Sequence, residues 1–390
     1  MSNLIKFTDL ASSGVTSFEE MPVVFWDGYG LANPYSGVGQ HAKNLAHALK
    51  DLEVNPVLLG TCEAAETHSN LRSIVFESGN FISNSKLFWP MKTYRAVEAF
   101  AQNNPNIQCV YHGLSNINLA VLSQQKTPNI KKVITIHDLI PLSHPEAVSK
   151  SMNIQFKLAL PFVLKTADKI ICISDWTRAE ILSRYPQYEE KIIMIPNGRG
   201  EFVEQAIADK HKPKARNEKI EIISVARFEK YKNLEFLVHI IRHTSDLKLT
   251  LVTDKKGKEY FEKNASQLLH TNRLEILTSL TQEEITQRLQ KTDCYVQTST
   301  AEGFCLPALD AIMLAKPVVY MAGSGIDEVC GQDIATPLTQ SAAPGIWASE
   351  IRKIIKRSNS PEFEQKIKNH ILKMPTWLDA ANLHKIVYNS

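Results

Sequence analysis

Short apolar runs alternate along this chain with stretches whose apolar residues recur every three or four positions, a rhythm that predicts strands and helices in turn. Pro22-Val-Val-Phe-Trp26 reads as a first strand, followed by a loop from Asp27 to Ser36. In the helix expected from about Val38, the residues Val38, Ala42, Leu45 and Leu49 step by four, three and four, so one face is buried. Further strands are expected at Val54–Leu59, Ile74–Phe76, Cys109–Tyr111, Val133–Ile136, Lys169–Ile173 and Ile192–Ile195. Pro196-Asn-Gly198 is a turn signal, and the polar run Asp209 to Lys219 then breaks the rhythm, marking a domain boundary. The pattern restarts at Ile220–Ala226, with a helix from about Leu234 and strands at Lys248–Val252, Leu274–Leu277 and Cys294–Gln297. A helix from Pro307 to Leu314 and a strand at Pro317–Tyr320 follow, and Thr281 with Glu284 forms a capping-box pattern ahead of a short helix. Such alternation predicts the α/β class, with mostly parallel sheets covered by helices on both faces. A chain of 390 residues is long enough for two such doubly wound domains, with a ligand in the cleft between them.

Charge changes this picture little. The formal net charge is +3, and no block of Lys and Arg is interleaved with aromatics, so nucleic acid is not an expected partner. The six cysteines, Cys62, Cys109, Cys172, Cys294, Cys305 and Cys330, are widely spaced without a CxxC pair. They read as reduced residues of a cytoplasmic protein, not as a zinc site. Met1 to Glu20 holds no apolar core of a signal peptide and no apolar run reaches about 18 residues, so neither a signal peptide nor a membrane span is expected.

Four loops at the carboxyl ends of predicted strands carry candidate chemistry. Gly37-Val-Gly39 stands before a helix, where glycines let the backbone approach a phosphate or acceptor and present N–H groups; a plain turn has the same composition. His137, in Thr135-Ile-His-Asp138, is placed to donate to a sugar hydroxyl or a developing charge with Asp138 orienting its ring. The alternatives are a histidine capping the strand end and an aspartate forming a turn. Arg227 and Lys232 lie five positions apart between a strand and a helix, a fork and a mobile point charge able to meet one diphosphate. The stretch Ser299-Thr-Ala-Glu-Gly-Phe-Cys-Leu-Pro-Ala-Leu-Asp310 sets Glu302 before a turn and Asp310 at a helix start, with Gly303 as the expected positive-φ residue. Asp310 there is also favoured by the helix dipole alone.

Together, Gly37-Val-Gly39, His137, Arg227 with Lys232, and Glu302-Gly-Phe-Cys-Leu-Pro-Ala-Leu-Asp310 resemble the retaining, nucleotide-sugar-dependent glycosyltransferases of family 4, most strongly from Ile222 to Ala335. The resemblance implies the GT-B fold: two Rossmann-like doubly wound domains facing an interdomain cleft, an acceptor-side domain at 1–200, a nucleotide-sugar domain at 201–374 and a helix at 375–390 crossing back, anchored by Trp377. It implies that Arg227 and Lys232 hold the donor diphosphate with the N–H groups of Phe304, Cys305 and Leu306, that Glu302 meets the donor sugar, and that Asp310 binds the ribose hydroxyls. His137 would contact the transferred sugar, and the loop at Gly37 and Gly39 would lie between donor phosphate and acceptor. Ser324-Gly-Ile-Asp-Glu-Val329 resembles a loop leading into a helix at the cleft. Three departures stand out: Asp310 where the family has Glu, Cys305 where it has Gly, and Ala315-Lys316 in place of a Gly-containing turn.

The resemblance implies same-face transfer through an oxocarbenium-like state, with the leaving phosphate helping to deprotonate the acceptor. No Asp-x-Asp motif is present, so metal-independent transfer without a further cofactor is expected, the nucleotide sugar being a co-substrate. The wording Thr135-Ile-His-Asp-Leu-Ile-Pro-Leu142 is similar to bacterial mannosyl- and hexosyltransferases of surface polysaccharides, which tilts the donor toward GDP-mannose with UDP-sugars open. The acceptor is then a glycan or a lipid-linked glycan. Lys150, Lys157, Lys165 and Lys169, interspersed with Phe156, Leu158, Leu160 and Phe162, form either a basic amphipathic helix for peripheral contact with the inner face of a membrane or an ordinary flanking helix. The rival readings are a nucleotide-sugar epimerase and a noncatalytic sugar-nucleotide-binding protein that serves another enzyme.

Overall fold

The computed structural model describes residues 21–33, 36–76, 88–117, 127–200, 219–331 and 333–390. Most of the polar run expected to divide the chain, and Met1 to Glu20, lie outside the described residues. The chain divides into two compact units. One comprises Met1–Leu142, Ser151–Gly198 and Pro375–Ser390, and the other Ser143–Lys150 and Arg199–Met374.

The first unit is built on seven strands: β1 (Val23–Asp27), β2 (Val57–Gly60), β3 (Arg72–Val75), β4 (Cys109–Gly113), β5 (Ile130–Ile136), β6 (Lys169–Cys172) and β7 (Ile192–Met194). They pair in the order β3-β2-β1-β4-β5-β6-β7, every pairing parallel. Side chains alternate across the sheet as the strand period requires. Phe25, Val57, Leu59 and Tyr111 face one core with the helices at 88–103 and 150–166, whereas Val24, Trp26, Leu58 and Val110 face another with the helices at 37–51 and 377–389. The second strand begins at Val57, later than expected. Glu53 has φ 60° and the Val54 N–H returns to Leu49 O, which closes the preceding helix, and Pro56 has no N–H to give to the ladder.

Helix 377–389 opens with a capping box between Thr376 and Asp379. The chain passes it at Gly198, where a Cβ would lie 2.2 Å from Trp377 N, so no side chain fits. Its far end is held by Lys131, whose Nζ donates to the Val387, Tyr388 and Ser390 carbonyls, a cation at a helix C-terminus.

The second unit has six strands, β8 (Ile220–Val225), β9 (Leu247–Val252), β10 (Leu274–Leu277), β11 (Cys294–Gln297), β12 (Val318–Met321) and β13 (Ala335–Leu338), paired in parallel in the order β10-β9-β8-β11-β12-β13. β13 was hidden in the sequence because Ala-Thr-Pro-Leu is short and contains Pro337. At the sheet edge a missing N–H is tolerated. Helix 282–291 carries the expected capping box, with Thr281 Oγ1 accepting from Glu284 N and the Glu284 carboxylate accepting from Thr281 N.

Candidate active site

Counted from its own first strand, each sheet begins 3-2-1-4-5-6, so the winding reverses between β1 and β4 and again between β8 and β11. Ligands of open α/β sheets sit beyond the carboxyl ends of strands at such a reversal. In the second unit the loops leaving β8 and β11 carry Arg227, Lys232 and Glu302, and the structure brings the last two together. Lys232 Nζ donates to both Glu302 oxygens, at 2.7 and 2.8 Å, and both side chains are largely buried. Burial pulls the Lys232 ammonium down, but the carboxylate against it more than offsets this and holds its pKa above the ordinary lysine value.

The two loops are fastened to each other through backbone as well. Thr298 Oγ1 donates to the Lys232 and Asn233 carbonyls, and Thr300 N donates to Tyr231 O at 2.8 Å. Asn233, in the left-handed region at φ 52°, turns the chain from the lysine into helix 234–242. Arg227 is exposed, and its guanidinium has no partner among the described residues. Its loop is positioned by Asp254, which accepts from Phe228 N at 3.0 Å while capping the helix at 255–264.

A residue that the sequence reading missed holds Glu302 from behind. Gln297, the buried last residue of β11, donates from Nε2 to Glu302 Oε1 at 2.7 Å and to Ser299 Oγ at 2.6 Å, and its Oε1 accepts from the Tyr295 hydroxyl at 2.8 Å. The available signal was a glutamine closing an otherwise apolar strand, where an amide is buried only if its hydrogen bonds are met.

The turn after Glu302 differs from expectation. The positive φ falls on Cys305, at 81°, and not on Gly303. A Cβ there is strained by roughly 1–2 kcal/mol, and this is the position where the resembled family has Gly. The N–H groups of Phe304, Cys305 and Leu306 take no hydrogen-bond partner among the described residues, and they open the helix at 306–313. Gly325 closes over this turn: its N–H donates to Glu302 O, and a Cβ would lie 2.2 Å from Gly303 O. Such a set of unpaired N–H groups at a helix start suits an anion. Asp310 is the fifth residue of its helix, beyond the first turn, so the helix dipole does not account for it. Half-buried, it accepts from Gln282 Nε2 at 2.9 Å. Loss of water pushes its pKa up to about 6, against the Gln282 hydrogen bond.

The first unit corrects two expectations. His137 Nε2 lies 2.8 Å from Leu114 O, and a carbonyl only accepts, so Nε2 carries the proton. Burial holds the ring's pKa down to about 4, so it is neutral near pH 7 and Nδ1 is left as an acceptor, not the donor the sequence reading expected. Asp138 does not orient this ring: its Oδ1 accepts from Ile140 N and Asn116 Nδ2, as an aspartate forming a turn does. The glycine pair separates too. Gly39 is required, since a Cβ would lie 2.4 Å from Asn33 O, but its N–H is spent on the Ser36 cap; a Cβ at Gly37 would meet nothing within 4 Å among the described residues, so that position does not require glycine for space. Behind His137 stand His41 and His384, their rings 5.0 Å from His137 and 6.3 Å from His41 respectively. His41 Nδ1 donates to Asn197 Oδ1 and His384 Nδ1 to Ala380 O, while their buried Nε2 atoms take no partner among the described residues. Burial pushes both down to about 3.

The fold and this site match known families. A model described as "Glycosyltransferase Family 4" matches residues 35–199 and one described as "Glycosyl transferases group 1" matches residues 206–373. The chain belongs to the family 4 glycosyltransferases, with the GT-B fold of two Rossmann-like domains. Among curated relatives, the GPI3 component of the phosphatidylinositol N-acetylglucosaminyltransferase of Saccharomyces cerevisiae is 22% identical over 68% of this chain and 58% of its own length. The chain thus spans less than two thirds of the length of that relative. Among solved structures, sucrose-phosphate synthase from Thermosynechococcus elongatus superimposes with a TM-score of 0.75 at 17% identity, over 95% of this chain and 98% of that one. Anabaena HepE, solved with UDP and glucose, gives 0.68 at 15% identity, over 95% of this chain and 100% of that one.

Proposed function

We propose that this chain transfers a hexosyl group, with retention, from a nucleoside diphosphate sugar to a hydroxyl of a glycan or glycolipid. The observation that carries the reading is the paired Lys232 and Glu302 at the strand-order reversal of the second unit, next to the N–H groups at 304–306 that take no partner among the described residues. In this reading Arg227 and Lys232 meet the donor diphosphate. The lysine has three protons, so with two directed at the Glu302 oxygens a third is left to reach phosphate. As the bond to the leaving diphosphate breaks, these cations and the N–H groups take up the growing charge, and removing one such donor costs about 3 kcal/mol, or roughly a hundredfold in rate. Glu302, fixed by Gln297, faces the donor sugar; Asp310 takes the ribose hydroxyls. His137, neutral and presenting Nδ1, accepts a hydrogen bond from a hydroxyl of the transferred sugar.

Support for the donor class comes from Anabaena HepE, whose structure holds UDP and glucose. The yeast relative is named for transfer to phosphatidylinositol, which favours a lipid-linked acceptor. GDP-mannose is the donor to try first, on the wording of Thr135 to Leu142, with UDP-sugars beside it. The test is release of nucleoside diphosphate from GDP- and UDP-sugars in the presence of candidate acceptors. Release that needs the acceptor and is lost in Lys232→Met supports transfer. Conversion of a nucleotide sugar alone into an isomer would make the protein an epimerase, and binding without turnover would make it noncatalytic.

A further inference from the structure

The helix Lys150–Thr166 buries Asn153, Phe156, Ala159, Leu160, Val163 and Leu164, leaving an opposite face to solvent. That face is not polar. Ile154, Leu158 and Phe162 are 55, 66 and 52% exposed. Four-residue steps stack them in one row about 12 Å long and within roughly 80° of arc. Large apolar side chains are exposed elsewhere in the first unit, as at Leu378, Leu383 and Ile386, but their spacing spreads them over about 140° of helix 377–389, against about 80° here, and they share that helix with Asp379.

Charge on this helix has one sign. Lys150 and Lys165 stand at the two ends of the row and Lys157 beside it, all exposed, and the helix contains no Asp or Glu. Lysines so placed lay their methylene stems along the apolar row and raise their ammonium groups to its rim. An apolar strip whose own helix carries lysines and no acid complements a surface that is apolar inside and anionic at its edge. We propose that this face docks on an anionic lipid bilayer, with Ile154, Leu158 and Phe162 entering the headgroup boundary and Lys150, Lys157 and Lys165 meeting lipid phosphates. The helix lies in the plane of the surface: no helix among the described residues is long and apolar enough to cross a membrane. The docking stands apart from the donor assignment, since it needs neither nucleotide nor turnover.

The test is co-sedimentation of the full chain with phosphatidylcholine vesicles and with vesicles carrying about one third phosphatidylglycerol. The expected result is binding to the anionic vesicles only, weakening with salt. The triple variant Ile154→Ser, Leu158→Ser, Phe162→Ser should lose it, and Lys157→Gln with Lys165→Gln should weaken it by about fivefold per lysine. The changed side chains are exposed, so both variants should keep the wild-type melting temperature, and Leu383→Ser should bind as wild type does. Failure of the wild type to bind anionic vesicles, or unchanged binding by the triple variant, overturns the proposal. So does self-association that the triple variant abolishes while vesicle binding is absent, which would make a second copy of the chain the occupant. Nucleotide-sugar turnover without vesicle binding would sink the docking alone; vesicle binding without turnover would sink the transfer alone.

Discussion

Acidification from about pH 7.5 to about pH 5 should destabilise the first unit through its buried histidines. His41, His137 and His384 are held by burial down to about 3, 4 and 3, against 6.5 for an ordinary histidine. Near pH 5 the folded unit therefore leaves them neutral while the unfolded chain protonates them. Stability is complete above pH 6.5 and falls as the pH drops toward the folded values, by about 1.4 kcal/mol per pH unit for each ring. At pH 5 that amounts to roughly 2 kcal/mol per histidine, or about 6 for the three. His112, also held well below its ordinary value, acts in the same direction. Asp27 opposes them. Buried at the end of β1 and bonded to Tyr111, Thr93 and Tyr29 N, it is pushed by burial from 3.8 up to about 6, so the folded form binds a proton first. It returns roughly 1.4 kcal/mol by pH 5, leaving a net loss of about 4–5 kcal/mol from the three histidines and Asp27. Urea unfolding followed by tryptophan fluorescence reports on this unit through the buried Trp26 and Trp89. His41→Gln should flatten the pH dependence by about one group's slope. A midpoint that is unchanged or higher at pH 5 would refute the reasoning.

Other consequences are more local. Gln297→Leu removes the amide that fixes Glu302; transfer should slow by tenfold or more in kcat, with a smaller change in donor KM and a retained fold, as steady-state kinetics beside a melting curve would show. Asp310, with its pKa near 6, should let donor binding weaken as the pH falls through that value, and Asp310→Asn should leave an affinity that no longer varies there, read by titration at several pH values. Ala315→Gly should stabilise the second unit by about 1 kcal/mol, since Ala315 has φ 54° and a Cβ is strained there. Its neighbours already form the helix stop that glycine favours, with Ala315 N on Ile312 O and Lys316 N on Ala311 O. By the same reasoning Cys305→Gly should melt higher than Cys305→Ala.

Sequence periodicity located most strands because parallel strands buried on both faces are unbroken apolar runs. It failed where backbone conformation decided the matter. Val54 looks like a strand residue, but Glu53 at φ 60° ties it to the preceding helix, and Pro337 disguised an edge strand. The Lys232 and Glu302 candidates came from residue type and loop position, and their meeting was not readable because the two lie seventy residues apart and join only when β8 and β11 pair. Cys305 and Ala315 were visible as departures from a family pattern. Their shared cause, a left-handed backbone at both, required the structure. His137 was singled out rightly as a strand-end histidine, yet its tautomer depends on Leu114 O, a carbonyl from another strand's loop.

The second unit is proposed to bind a nucleoside diphosphate on Arg227, Lys232 and the N–H groups of residues 304–306. Calorimetric titration of GDP and of UDP into the wild type and into Arg227→Ala tests this most directly, because Arg227 is exposed and its guanidinium takes no partner among the described residues, so the variant should keep the fold. At least one nucleoside diphosphate should bind the wild type, with an affinity lower by tenfold or more in the variant and an unchanged melting temperature. Equal affinity in both proteins, or no binding by the wild type, would contradict it.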